Sequence, residues 1–414
     1  MTNRAAPRRR IDLDLGDRAF LMLLAPLTGL GAMSQNMYVP VLPLMRADLH
    51  LSVAEANMTG SFALLAFAVG LLFGGTLSDR QGRRHVMVAG NLVFLLGSAG
   101  CALAPSLGWL VAGRIVQALG SSTCLVTARA MVGDVYPRES MARMLAFLTM
   151  VMVIAPTVSP IIGGAVGAVA GWRGVFWVLG ACGIPPLLLS LRFLPETRSA
   201  AARDALAGGG ALALWHQGRK IWRDPAFVGA SLQTAIIVSS FLIFVWSVPH
   251  TLRAQHLPLS TFGWWNLVVA VGYFIGNGLV TRLGNRHSMA AFIRTGLWLQ
   301  FAGATIGWAL AEAGFRGPLV TPLILFVPVA LMAFGQGLAL PNLNASAIAL
   351  HPEASGTASS VLGFGQQFCA AIAVQCMGLF ALSSPEPMMR CILGTVVASM
   401  LLLYSRRLRP AGVR

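Results

Sequence analysis

Charge is what this sequence lacks most. Of its 414 residues, 56% are hydrophobic and 11% charged, whereas an average soluble domain carries roughly a quarter charged residues. That scarcity excludes a water-soluble globule, because there is too little polar material to cover one. Acidic side chains are fewer than basic ones. There are 14 Asp and Glu, and none falls inside the long apolar runs described below. Reactive constellations are missing too. There is no His-Glu-x-x-His, no Gly-x-Ser-x-Gly, no His-rich cluster and no phosphate-binding glycine loop. These absences argue against a membrane enzyme and exclude an ATP-driven pump within this chain. The six cysteines (Cys101, Cys124, Cys182, Cys369, Cys376 and Cys391) all lie in apolar runs. They show neither metal-ligand spacing nor pairing, so they read as small buried thiols. No cofactor and no metal are expected.

What is present is a series of apolar blocks of about twenty residues, the length a helix needs to cross a bilayer. Six lie between Phe20 and Leu194 and six between Phe227 and Tyr404. In lipid every backbone N–H and C=O must bond within its own segment, so these blocks are helices. A barrel would show strands of about ten alternating residues, and none is visible. The fold class expected is therefore all-α integral membrane, with twelve spans in two pseudo-symmetric six-helix bundles. The parts are an N-tail (1–19), a first bundle (20–194), a linker (195–225), a second bundle (226–405) and a C-tail (406–414).

The net charge of +16 would suit nucleic acid only if its placement were ignored. Most Lys and Arg fall on the side that holds both termini, which places the termini in the cytoplasm. The basic loops then face anionic lipid headgroups, and no folded domain is left over to bind nucleic acid. The basic start, MTNRAAPRRR, precedes an apolar run longer than a signal-peptide core, so it reads as leading into an uncleaved first span. The linker holds Gly208-Gly209-Gly210 and the basic residues Arg219, Lys220 and Arg223. Its stretch from Leu212 to Ile221 is amphipathic enough to lie on a membrane surface.

The two halves share a signature. Gly74, Leu77, Arg80, Gly82, Arg84 and His85 recur as Gly276, Leu279, Arg282, Gly284, Arg286 and His287, each pair 202 residues apart. Six matches in so short a window indicate duplication. Parallel repeats related by an axis along the membrane normal are a known transporter plan, with the substrate bound near mid-bilayer between the halves.

At this point the chain resembles a known family. Gly75-Thr76-Leu77-Ser78-Asp79-Arg80-Gln81-Gly82-Arg83-Arg84 looks like the loop 2–3 signature of the major facilitator superfamily. Arg114, Gln117 and Gly120 resemble its second motif, and Pro156, Ser159-Pro160 and Gly163-Gly164 the antiporter motif of its drug exporters. Tyr38-Val39-Pro40-Val41-Leu42-Pro43, Arg129-Ala130 with Asp134, and Leu340-Pro341-Asn342 followed by Gly356-Thr357-Ala358-Ser359 resemble the Bcr/CflA subgroup. Three positions depart from that subgroup: Asn36 stands where Asp is usual, Leu71 where Gln is usual, and Gly133 where Arg is usual. The resemblance implies drug efflux coupled to inward proton flow across a bacterial inner membrane.

It also implies roles. Gly75, Asp79, Arg80, Gly82, Arg83 and Arg84 form a gating motif, in which Asp79 latches the start of span 11 near Gly356-Thr357. Arg114 and Gln117 are coupling candidates, with Asn36 as a partner from span 1. A guanidinium stays charged, and its depth in the span costs roughly 2.5–3.5 kcal/mol, so Arg114 needs partners. With no carboxylate inside a span, His250 is a substitute titratable group, beside Asp79, Asp134 or a loop acid. Pro156, Pro160, Gly163 and Gly164 are expected to bend span 5, since proline removes a backbone bond and kinks a helix. Cavity candidates are Tyr38, Trp246, Phe364, Gln366 and Gln367, together with Asn36 and Gln117. Aromatic walls with few polar groups suit an amphipathic ligand, and the missing acid favours neutral or zwitterionic cargo.

Two functions remain open: export of drugs or other small organic molecules in exchange for protons, or movement of an endogenous metabolite without proton coupling. A sensor is disfavoured by the lack of a signalling domain. The partners expected are a small-molecule substrate, protons and the lipid bilayer, and the two-half plan works as a monomer.

Overall fold

The computed structural model describes residues 17–136, 138–198, 218–219, 221–284, 286–315, 317–351, 355–377 and 384–405. Most of the expected N-tail, the linker from 199 to 217 with Lys220, and the C-tail from 406 lie outside the described residues.

Among the described residues the chain is helical, without strands. Helix α1 spans Asp17–Asn36, and a turn of 3-10 helix (Val39–Val41) leads into the short α2 (Leu42–Asp48). Then come α3 (Val53–Gln81), α4 (Arg83–Ala102), α5 (Leu107–Val135) and α6 (Arg138–Phe193). The second half holds α7 (Pro225–Ala254), α8 (Leu259–Leu283), α9 (Met289–Glu312), α10 (Val320–Ala349), α11 (Ser355–Met377) and α12 (Pro385–Tyr404).

Nine of these helices are long and apolar enough to cross a membrane among the described residues. Two others fall short by composition. Ser34, Gln35 and Asn36 dilute the end of α1, and Arg294 and Gln300 dilute α9. Helix α6 has the opposite property. At 1.5 Å per residue, its 56 residues exceed twice the ~30 Å of a hydrocarbon core. It is interrupted at Gly171, where φ is 67° and ψ −175°, a conformation that glycine adopts without a Cβ clash.

Local chemistry fixes the helix starts. Ser52 and Glu55 form a reciprocal capping box on α3, satisfying two of the N–H groups a helix leaves unpaired. Asp224 accepts from Ala226 N at the start of α7, with Pro225 in the first turn, a position where the missing N–H costs nothing. Between α3 and α4 a single residue, Gly82, turns the chain at φ 98°. That one-residue joint brings the end of α3 and the start of α4 into one polar cluster.

Candidate functional site

Arg83 is the centre of that cluster. Its side chain is only 5% exposed and makes ion pairs with Asp79 at 2.6 Å and Asp134 at 2.8 Å. Its third contact is a donated hydrogen bond to Ser78 Oγ at 2.6 Å. Glu196 closes the knot from the end of α6. Its carboxylate accepts from the backbone N–H groups of Arg83 (2.9 Å) and Arg84 (3.2 Å), the first two unpaired donors of α4. A carboxylate there also meets the positive end of the helix dipole. Thr197 donates to Asp134 at 3.1 Å, and Arg198 approaches Asp79 at 3.5 Å. Arg84 donates to the Leu191 carbonyl at 2.7 Å, and Gly75 lies against Val126 of α5. Arg80 is exposed. Asp79 is thus engaged by Arg83 and Arg198, both within the first half of the sequence. Glu196, Thr197 and Arg198 were not foreseen as site residues, although a run of charge directly after a span was the available signal.

A second polar centre lies in α5. Arg114 is 1% exposed. It donates to the Ser34 carbonyl at 2.9 Å and to Gln117 Oε1 at 2.5 Å. Gln117 donates in turn to Ser98 Oγ at 2.8 Å. The guanidinium carbon sits 4.0 Å from the centroid of the Tyr38 ring and 5.8 Å from that of Phe176, so ring faces supply part of its stabilisation. Arg114 Nε has no hydrogen-bond partner. Asn36, expected to pair with Arg114, instead donates to Ala32 O of its own helix at 2.8 Å. The contact from α1 comes from the Ser34 carbonyl, two residues earlier, because the helix ends at Asn36 and its last carbonyls are free to accept.

Asn36 lines a cavity of about 220 Å³ between residues of both halves of the sequence. From the first half come Met152, Pro156, Thr157 and Pro160; from the second come Phe241, Phe262, Asn266, Tyr273, Phe274 and Gln336, among others. Among the described residues no charged side chain lines it. Amide and hydroxyl groups are set among aromatic rings, the usual composition of a pocket for small organic molecules. The amide oxygen of Asn266 is buried without a partner. Asn266, Tyr273 and Gln336 were not singled out in the sequence, and nothing in their immediate neighbours marks them.

The remaining cavity candidates lie elsewhere. Tyr38 and Trp246 are 0% and 2% exposed and meet edge to face with ring centroids 5.5 Å apart. Trp246 also covers Gly60 of α3 so closely that a Cβ at 60 would stand 1.6 Å from the indole. Nearby, Asn57 donates to the Val374 carbonyl at 3.2 Å and Ser61 to Gln375 Oε1 at 2.7 Å. These contacts form a seam between the two halves of the sequence, toward the start of α3 and away from the Arg83 cluster. Phe364 stacks on Phe368, and Gln366 donates to Asn344; neither these nor Gln367 belongs to the cavity lining. His250 is 7% exposed, with its Nε2 unpartnered.

Helix α6 keeps helical dihedrals through Pro156 and Pro160, and its break is at Gly171. Pro156 and Pro160 both face the cavity. Proline leaves the carbonyl four residues earlier without its helical donor, here Met152 and Pro156, both of which line the cavity. Gly163 packs on the backbone of Met37, where α1 ends, and Gly263 of α8 packs on Pro160 and Ile161. Gly164 is buried beside them.

Comparison with known proteins fits this geometry. The family model described as Major Facilitator Superfamily matches residues 24–408. A protein of Salmonella paratyphi B called multidrug resistance protein MdtL is 27% identical over 381 residues, covering 89% of this chain and 90% of that protein. Its namesake in Escherichia fergusonii is 28% identical over 310 residues, covering 68% and 77%. Two solved structures share the fold. One is a D-xylose–proton symporter, with a TM-score of 0.71 at 14% identity over 95% of this chain and 98% of that one. The other is a bacterial homolog of the human lysosomal transporter Spinster, inward-facing and occupied, with a TM-score of 0.68 at 18% identity over 96% and 95%.

Proposed function

The chain belongs to the major facilitator superfamily, and from that membership we propose that it exports small organic molecules, drugs among them, by alternating access in exchange for protons. It is a multi-pass membrane protein and a secondary transporter. In the reading proposed, it sits in a bacterial inner membrane with both termini in the cytoplasm and works as a monomer. Twelve spans in two bundles follow if α1 with α2 and α9 each cross, and if Gly171 divides α6 into two crossings. The 202-residue repeat supports that plan.

The observation that carries the function is the cavity. Residues from both halves of the sequence line it, and a buried aromatic contact between Tyr38 and Trp246 joins the halves. A site built on two moving bodies can be exposed to alternate faces by rocking them. The Arg83 cluster ties α3, α4, α5 and the end of α6 into one unit that can move as a block. Because no charge lines the cavity, the cargo is neutral or zwitterionic; a bare cation would lose its hydration without gaining a counter-charge. Drug export is supported by relatives named as multidrug resistance proteins.

Efflux of a panel of neutral and cationic compounds from inverted vesicles, under an imposed pH gradient, tests this. Gradient-driven accumulation of neutral compounds is the expected result. The uncharged cavity favours one alternative, a facilitator of an endogenous metabolite without proton coupling. Equilibration that ignores the pH gradient would establish the facilitator in place of the exchanger.

A further inference from the structure

A second recess, larger than the central cavity, lies on the outer surface of the first half of the molecule. Its volume is about 530 Å³. The walls are α3 from Val69 to its end and the first half of α4, and its floor is Leu119, Gly120 and Thr123 of α5. Helices α3 and α4 part here because each packs closely on α5, Gly74 on Thr123 and Gly90 on Gly120 and Thr123. The recess is almost wholly apolar until its end, where Arg80 and Gln81 stand at the mouth.

The recess does not face the other half of the molecule. Asn57, Ser61 and Leu71 mark the side of α3 that meets α11. At 100° per residue, Val69, Phe73 and Leu77 lie roughly 120–200° round from that side. These three are 42%, 52% and 42% exposed, and Ala89 across the groove is exposed as well. An apolar ridge exposed on a membrane span faces lipid. Among the described residues the charge at the groove's end is also unmatched. The acids of the turn, Asp79, Asp134 and Glu196, are engaged with Arg83, Arg198 and the start of α4, which leaves Arg80 exposed at the level where headgroups lie.

We infer that this groove binds one anionic phospholipid, with an acyl chain between α3 and α4 and its phosphate on the Arg80 guanidinium. Charge complementarity selects the lipid: an arginine near the membrane surface is attracted to anionic headgroups and binds phosphate through paired N–H donors. The lipid belongs to the leaflet that holds the residue 79–85 turn. Bound there, it wedges α3 from α4 beside the Gly82 joint without touching the transport cavity.

Native mass spectrometry of the full chain, with phosphatidylglycerol and phosphatidylcholine of matched acyl chains offered in competition, tests the site independently of transport. Wild type is expected to retain phosphatidylglycerol with a preference of about fivefold, the value of one basic contact. Arg80→Ala is expected to abolish the preference while leaving total lipid retention nearly unchanged. Ala89→Phe fills the groove from an exposed position, and it is expected to lose the tightly held lipid altogether with a normal unfolding temperature. Equal retention of both lipids by wild type, or retention unchanged in both variants, would overturn the assignment. So would a dimer in lipid-free detergent that Ala89→Phe dissociates, since the groove would then be a contact between copies.

Discussion

Replacing Gly60 by Ala perturbs the seam at its tightest point. The added Cβ would stand 1.6 Å from Trp246 Cη2 and 2.2 and 2.3 Å from the next two ring atoms. Carbon atoms rest at about 3.5–4.0 Å, so about 2 Å must be found. Trp246 cannot give it by a small ring shift, because its edge meets Tyr38, and Tyr38 lies under the Arg114 guanidinium. Overpacking of this kind costs about 1–3 kcal/mol. In the closed seam the residues meet; with the halves apart, the same methyl costs nothing. The penalty therefore falls on one conformation alone and displaces the equilibrium about 5- to 150-fold toward the open seam. Spin labels at Ser106→Cys and Ala313→Cys would read it. These exposed turns lie in opposite halves of the sequence, at the end of the molecule where α3 begins, and the exposed Cys376 would be replaced by Ser. Gly60→Ala should populate a longer label distance and slow transport, with membrane insertion unchanged. A distance distribution identical to that of Gly60 would refute both the seam and the alternating-access argument built on it.

Other consequences can be checked in the same preparations. Asp79→Asn leaves Arg83 its bond to Asp134 but removes one of its two ion pairs, and export should be lost at unchanged protein level; full transport would contradict the gating role. Asn36→Asp places a carboxylate in an uncharged cavity with almost no change of shape. It should admit lipophilic cations such as tetraphenylphosphonium and make transport more steeply dependent on pH; an unchanged substrate range would retire Asn36 as a cavity residue. Asp48, at the far end of α2, is held below the ordinary carboxylate value by hydrogen bonds from Arg173 and then Trp172. A depressed pKa contributes stability that is present above 3.8 and is lost as pH falls through the lower folded value. Arg173→Ala should therefore lower the unfolding temperature at pH 7, and the difference from wild type should shrink below pH 3.8. A difference that persists in acid would assign Arg173 to packing on Trp172, whose ring centroid is 4.1 Å away.

How much was legible in the sequence depended on the kind of signal. Apolar runs located the helices, because in lipid a span has to be both long and uncharged. The turn from Asp79 to His85 could be read because its charges are confined to a few residues and are echoed 202 positions later. Arg114 stood out for the same reason, as a charge with no company. Gln117, one turn away, was readable as its partner, but Ser34 was not, since it contributes a backbone carbonyl that every residue has. Trp246 was visible as an aromatic residue and was assigned to the cavity; only packing shows it covering Gly60. Asn266, Tyr273 and Gln336 become a site only when α8 and α10 are brought beside α1 and α6, and no local pattern encodes that meeting. The prolines of α6 were visible through their own rings, but what lies against them was not: Met37 at Gly163 and Gly263 at Pro160 are contacts that only packing shows.

The distribution of acids constrains any proton mechanism more tightly than the family resemblance does. Among the described residues, Asn36 and its fellow lining residues bring no carboxylate to the cavity, which gives protons and cargo no shared carboxylate to compete for. A dense set of acids among the described residues is Asp79, Asp134 and Glu196, which share Arg83, Arg198 and the first N–H groups of α4. Protonating any one of them would remove a partner from Arg83 or uncap α4, loosening the block that has to rock. If the proposed exchange holds, coupling through these acids would be indirect: the proton would change the rigidity of the block, while the cargo occupied an uncharged pocket. Such coupling allows transport without proton movement as a leak, whereas direct competition at one site forbids it. A fixed stoichiometry of protons to cargo at all gradients would count against the indirect arrangement, and a stoichiometry that drifts with the gradient is what it requires.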